Sequence, residues 1–199
     1  MRPLEPAARR ALDAKRALRV QAIQQGAEVL ASAGVLLETP GWLGRSYGDT
    51  PVGRFANLES NRLAWREPDW FEFVPMRSAP FGFVRASGEA IEPRRMFTDG
   101  GSIPRVLWPI RSLSPWGYAP AFLVHDWEFD RHHCGHSPKS FEEVRDTMME
   151  AVKTLMETGV CPVDRIAFRA IQGGVDSPVA RIVWNLAPDV CPIPPDLEE

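Results

Sequence analysis

All four histidines of the chain fall between His125 and His136, in HDWEFDRHHCGH, so any proton-transfer or metal chemistry is concentrated there. Imidazole titrates near neutral pH, which suits His125 to the role of a general base. If the segment is helical, neighbours point about 100° apart, so His125 and Asp126 serve different faces. His125 then aligns with Phe129 and His132, and Asp126 aligns with Asp130 and His133. Two donor sets follow. Asp126, Asp130 and His133 offer oxygen and nitrogen on one face; His132, Cys134 and His136 offer nitrogen and sulfur at the helix end, a set that suits Zn2+. Upstream, TDGGSIPR adds Thr98, Asp99, Gly100, Gly101, Ser102 and Arg105. The Asp99-Gly100-Gly101 run marks a tight turn whose backbone can approach an ion, and Ser102 can cap a short helix that Pro109 ends.

The elements that must position these groups are legible around them. Pro120 suits a helix start, so AFLVHDWEFDRHH (121–133) reads as a helix broken at Gly135. In 137–159, Ser140 and Glu143 form a capping box. Phe141, Val144, Met148, Val152 and Leu155 make one apolar stripe, and Gly159 closes the helix. It is expected antiparallel to the His-Asp helix across HCGHSPK, with Met148, Met149 and Met156 as core filler. A helix over 163–174 and a segment around 180–187 follow. Before the turn, 69–75 and 81–87 read as strands paired in a hairpin or two-stranded edge, with a third over 90–97. Phe71, Phe73, Phe81 and Phe83 are expected in the core.

Residues 1–37 read as a helix: Pro3 and Pro6 suit its start, Gly34 its end, and Ala8, Leu12, Leu18, Ala22, Val29 and Leu30 form a weak stripe. Arg2, Arg9, Arg10, Lys15, Arg16 and Arg19 make its first part basic against Glu5 and Asp13. That pattern is a solvated face or a docking arm for a larger assembly. The expected organisation is an arm and linker over 1–45, one α+β domain over 46–188, and an extended Pro-rich acidic tail over 189–199. In it, a small irregular antiparallel sheet at 69–97 packs on a helical layer at 120–185.

Composition sets outer bounds. A length of 199 residues suits one domain, and 19 prolines and 15 glycines imply many loops. A net charge of -3 gives no nucleic-acid signature. No apolar run is long enough for a transmembrane helix, and none follows the Arg-rich start as a cleavable signal requires. Cys134, Cys161 and Cys191 match neither a disulfide framework nor a paired zinc motif, so a reducing compartment is expected. Walker, GxSxG, HExxH and dinucleotide motifs are absent.

TDGGSIPR, then LWP, then AFLVHDW, then an acid-containing helix ending METGV resembles the phage and prophage family known as domain of unknown function 1353. The family pattern is Thr-Asp-x-Ala-Ser-(Val/Ile)-Pro-Arg, His-Asp-x-x-Tyr and Ala-Asp-x-x-Phe. It matches Thr98, Asp99, Ser102, Pro104, Arg105, His125 and Asp126, and in its third motif Asp146. Gly101 replaces Ala, Phe129 replaces Tyr, and Arg145 and Met149 replace Ala and Phe; Phe129 lacks the hydroxyl with which a Tyr would orient a carboxylate. The resemblance covers residues 70–185 and leaves the arm outside. It implies a viral setting: synthesis in a host cytoplasm, with the virion as a further location.

Three functions compete for these residues. A His-Asp helix after a glycine turn is similar to that of calcium-dependent secretory phospholipases and their virion-borne relatives. By that analogy His125 is the base, Asp126 binds Ca2+ beside the glycine-turn carbonyls, and Asp146 orients His125. Helix phase opposes the last role, placing Asp146 about 160° from the apolar stripe. The second function is a Zn2+ site on the donor sets above. The third is a virion-associated or assembly component in which Asp99, Arg105, His125 and Asp126 lock loop to helix, and the arm binds other phage structural proteins or a second copy. No cofactor is demanded; Ca2+ and Zn2+ are the candidates.

Overall fold

The computed structural model describes residues 3–32, 45–66, 70–100 and 117–194. Two small antiparallel sheets precede a helical layer. One sheet is β1 (Arg54–Ala56), β4 (Gly82–Val84) and β5 (Ala90–Ile91), in the order β1-β4-β5. The other is β2 (Leu63–Arg66), β3 (Trp70–Phe73) and β6 (Met96–Thr98), in the order β2-β3-β6. The helices are α1 (Pro6–Ser32), α2 (Ala119–His133), α3 (Phe141–Glu157), α4 (Arg165–Val175) and α5 (Pro178–Asn185). An α+β fold with an N-terminal helix and antiparallel sheets against helices is therefore observed.

The expected hairpin does not form. The strands around Phe73 and Phe83 belong to different sheets: Phe73 is in register with Met96 and Leu63, whereas Phe83 faces Phe55 and Ile91. Pro75 and Pro80 bracket the connection, and proline cannot donate to a ladder. Between them Met76 and Ala79 close a tight turn that hands the chain from one sheet to the other. Phe73, Phe81 and Phe83 are fully buried as expected, while Phe71 is half-buried and packs edge-on against Trp65.

The helical layer follows the sequence closely. Ser140 Oγ accepts from Glu143 N, and Glu143 Oε2 accepts from Ser140 N, completing the capping box of α3. Its stripe Phe141, Val144, Met148, Val152 and Leu155 is buried, and Met148, Met149 and Met156 join the core with Phe122, Val124 and Phe168. Gly159 takes φ 74°, the left-handed conformation that ends the helix without a Cβ clash. The 45–53 segment is fastened to α3: Thr154 Oγ1 accepts from Gly53 N at 2.9 Å, and Lys153 Nζ donates to Thr50 O at 2.6 Å.

The expected N-terminal helix is present as α1, and Ala8, Ala11 and Leu12 along it pack on Trp70 and Phe97. The expectation of cysteines without a disulfide is corrected, for Cys191 forms one with Cys134. Wide sequence spacing concealed that pair, because the fold brings α2's end and the tail together. Cys161 is the buried free cysteine.

Candidate functional site

Helix α2 carries the site, and Pro120 in its first turn starts it. The phase read from spacing holds for His125 with Phe129 and for Asp126 with Asp130, but not for His133, which turns beside His132 toward Val183 O. His125 lies against Phe129, ring centroids 4.6 Å apart, while Asp126 and Asp130 turn together toward α1 and β6.

Lys15 organises that face. Its Nζ donates to Phe97 O at 2.5 Å and to Asp130 Oδ2 at 2.9 Å. Asp126 Oδ2 accepts from Thr98 Oγ1 at 2.6 Å, and Thr98 Oγ1 in turn accepts from Gly100 N. Gly100 has φ 82°, which lets the chain turn directly after β6. Arg19 on the next turn of α1 reaches Asp99 at 3.6 Å. One helix thus supplies two cations to a cluster of three carboxylates, Asp99 from the turn after β6 and Asp126 and Asp130 from α2.

Burial sets the electrostatics of this cluster. It pushes Asp126 up to about 6 and Asp130 up to about 7, against the pull of Lys15. Burial alone would lower the Lys15 ammonium, but Asp130, Asp126 and Asp99 together hold it above its ordinary value. Asp126 adds a smaller upward push on Asp130, as Asp99 does on Asp126. Burial also drives His125 down to about 4, so it is neutral at pH 7. Its Nδ1 is sealed from solvent and has no hydrogen-bond partner among the described residues.

The other sequence candidates go elsewhere. Asp146 accepts from the Arg145 guanidinium at 2.9 Å and 3.0 Å, and Arg45 approaches it at 3.9 Å. It lines a small cleft with Arg45, Thr50, Pro51, Arg85 and Met149, which contains neither His125 nor Asp126. The carboxylate partner that the phospholipase analogy gives His125 is therefore not Asp146. His132 stacks on Trp184 at 3.6 Å, and its Nε2 is 3.0 Å from Trp184 O; His133 Nε2 is 2.9 Å from Val183 O. Gly101, Ser102 and Arg105 lie outside the described residues.

The described residues of the two donor sets are already engaged. Among the described residues, no group of three or more His, Cys, Asp or Glu is arranged around a metal. Asp126, Asp130 and His133 are engaged by Thr98, Lys15 and Val183 O, and the positive charge a cation would bring is already Lys15's. In the second set Cys134 is oxidised, and a disulfide sulfur is not a thiolate ligand.

No family model matches the chain. A stretch of 57 residues, 27% of this chain, is 44% identical to the uncharacterized protein y4iH of Sinorhizobium fredii (strain NBRC 101917 / NGR234). The match spans 23% of that protein, well under two thirds of its length. No solved structure matches. No described helix is long and apolar enough to cross a membrane.

Lys15, Arg19 and Cys191 are the residues that sequence reasoning passed over. For Lys15 a signal existed. It sits in the stripe Ala8, Ala11, Leu12, Leu18 and Ala22 that α1 buries, at the one central position held by a charge. A lysine inside an otherwise apolar stripe needs a buried anion.

Proposed function

We propose that this chain is a phage- or prophage-encoded protein with a virion-associated or assembly role, in which the His-Asp region is a polar lock and not a reaction centre. The observation that supports this best is the Lys15 ammonium between Phe97 O and Asp130, beside the Thr98–Asp126 bond. The carboxylates that a hydrolase would present to a metal or substrate are spent on joining α1, β6 and α2. The viral setting rests on the TDGGSIPR and HDWEF resemblance. The Cys134–Cys191 disulfide accords with a protein that outlives the reducing cytoplasm, as a particle component does. Arg9, Arg10, Val20 and Ile23 remain exposed on α1 and are the residues through which it would meet other particle proteins.

A His-Asp hydrolase is the second reading. It is favoured by Nδ1 of His125, a sealed polar atom on α2 that the lock does not use and that has no hydrogen-bond partner among the described residues.

The deciding experiment is to produce particles from a host carrying an epitope-tagged chain and to purify them through a density gradient. The tag is expected to co-sediment with particles at a fixed ratio. Its absence from particles, together with an esterase or phospholipase activity that His125→Ala abolishes without lowering Tm, would establish the hydrolase instead.

A further inference from the structure

The end of α2 holds the C-terminal part of the chain at two levels. At the root, two imidazoles grip the last turn of α5. His132 stacks on Trp184 with ring centroids 3.6 Å apart and its Nε2 is 3.0 Å from Trp184 O, while His133 Nε2 is 2.9 Å from Val183 O. A carbonyl can only accept, so both rings donate from Nε2. Leu186 closes α5 by donating its N–H to Val183 O. Beyond Leu186 the fastening changes character. Among the described residues no hydrogen bond or ion pair joins 187–194 to the rest of the chain, and Asp189 and Val190 lie exposed. What holds this stretch is the Cys134–Cys191 disulfide near its end, with Ile193 packed on the main core between the buried Pro192 and Pro194. Ordering a segment costs backbone entropy at every residue, and three residues of contact do not offset that cost where no hydrogen bond helps. Closure therefore depends on the covalent bond. Cys134 and Cys191 are both partly exposed, so a thiolate can reach them from solvent.

We propose that residues 187–194 form a redox-gated strap, hinged just past Leu186 beside the His132 and His133 contacts and latched by the Cys134–Cys191 bond. In an oxidising medium the strap is closed over the core beneath Ile193. In a reducing one it swings free, while α5 stays in place on its two histidines. Opening is a thiol–disulfide exchange with a dithiol. One thiolate of the dithiol attacks a sulfur, the Cys134–Cys191 bond breaks, and the second thiol resolves the mixed disulfide. Two electrons and two protons pass to the protein, which is left with two thiols, and the dithiol ends as its own disulfide. Closing is the reverse, with a low-molecular-weight disulfide as oxidant. That oxidant takes up the two electrons and two protons and leaves as two thiols. The latch requires only α2 and the tail, and so holds with or without a particle role.

The test uses the full chain labelled with 15N, and compares backbone relaxation and amide exchange with the disulfide intact and after dithiothreitol. On reduction the order parameters of Val190 and Ile193 are expected to fall from about 0.85 to below about 0.6, while the amides of α3 and α5 keep their protection. Oxidised glutathione should restore the higher values. Cys134→Ser with Cys191→Ser should show the low values with and without dithiothreitol. The proposal is overturned if Val190 and Ile193 stay as ordered after reduction, or if the double variant is as ordered there as the oxidised wild type. Loss of protection in α3 or α5 along with the tail would overturn it too, since the disulfide would then hold the fold as a whole and not a hinged segment.

Discussion

Lys15 Nζ and Asp130 Oδ2 meet at 2.9 Å across 115 positions of sequence, and both side chains are nearly sealed from water. A pair of this kind gains little against an apolar replacement of both partners, but removing one partner strands the other charge. Lys15→Met should therefore destabilise the protein by about 3–5 kcal/mol, and Lys15→Met with Asp130→Leu should recover much of the loss. Urea denaturation of the two single variants and the double variant measures this. Additive losses would show that the pair is not coupled.

The hydroxyl of Thr98 is the only hydrogen-bond donor found on Asp126 among the described residues. Thr98→Val keeps the shape of the side chain and removes that donor. It should cost about 1–3 kcal/mol, the penalty for a buried acceptor left unsatisfied, and a urea midpoint unchanged from wild type would dismiss the contact.

The pH dependence has two limbs of opposite sign. His125 falls to about 4 in the fold, below its ordinary value, so the unfolded chain binds more protons. Its contribution is present above about pH 6.5 and is lost as pH drops toward 4. Asp126 and Asp130 rise to about 6 and about 7, so there the folded chain binds more protons. Their contribution is full below the ordinary carboxylate range and is lost as pH climbs through 6 and 7. Stability curves measured from pH 4 to 8 should consequently show a smaller neutral-side decline in Asp130→Asn, with the Asp126 part remaining. In His125→Gln the acid-side loss should shrink, and curves parallel to wild type in both variants would contradict the assignment.

The architecture of the helical layer was readable because period, caps and breakers agreed: Ser140 with Glu143 opened α3, its stripe ran unbroken, and Gly159 ended it. Strand partners were not readable. Short aromatic segments such as Trp70–Phe73 and Gly82–Val84 carry little information about which neighbour they choose, and two prolines decided it. At the site, helix phase separated His125 from Asp126 correctly, but phase concerns one helix only. The groups that define the environment come from elsewhere: Lys15 from α1, and the Val183 and Trp184 carbonyls from α5. Asp146 shows the converse. Its place on α3 matches a family motif, yet its neighbours are arginines.

Cys134 and Cys191 close a loop of 57 positions. A cross-link of that length restricts the unfolded chain and is worth about 2–4 kcal/mol. Wild type should lose Tm when reduced, whereas Cys134→Ser with Cys191→Ser should start lower and show no response to reductant. An equal response from both proteins would assign the effect to something other than this disulfide.

The docking of α1 also orders events during synthesis. Its helix is translated first, but the surface that accepts Ala8, Ala11, Leu12 and Lys15 is made of Trp70, Phe97 and Asp130. At ribosomal rates of about 5–20 residues per second, those partners follow only after several seconds. During that interval α1 has a lysine in its apolar stripe and nothing to bury it against. Helix α1 therefore cannot take its native place until residue 130 has been made.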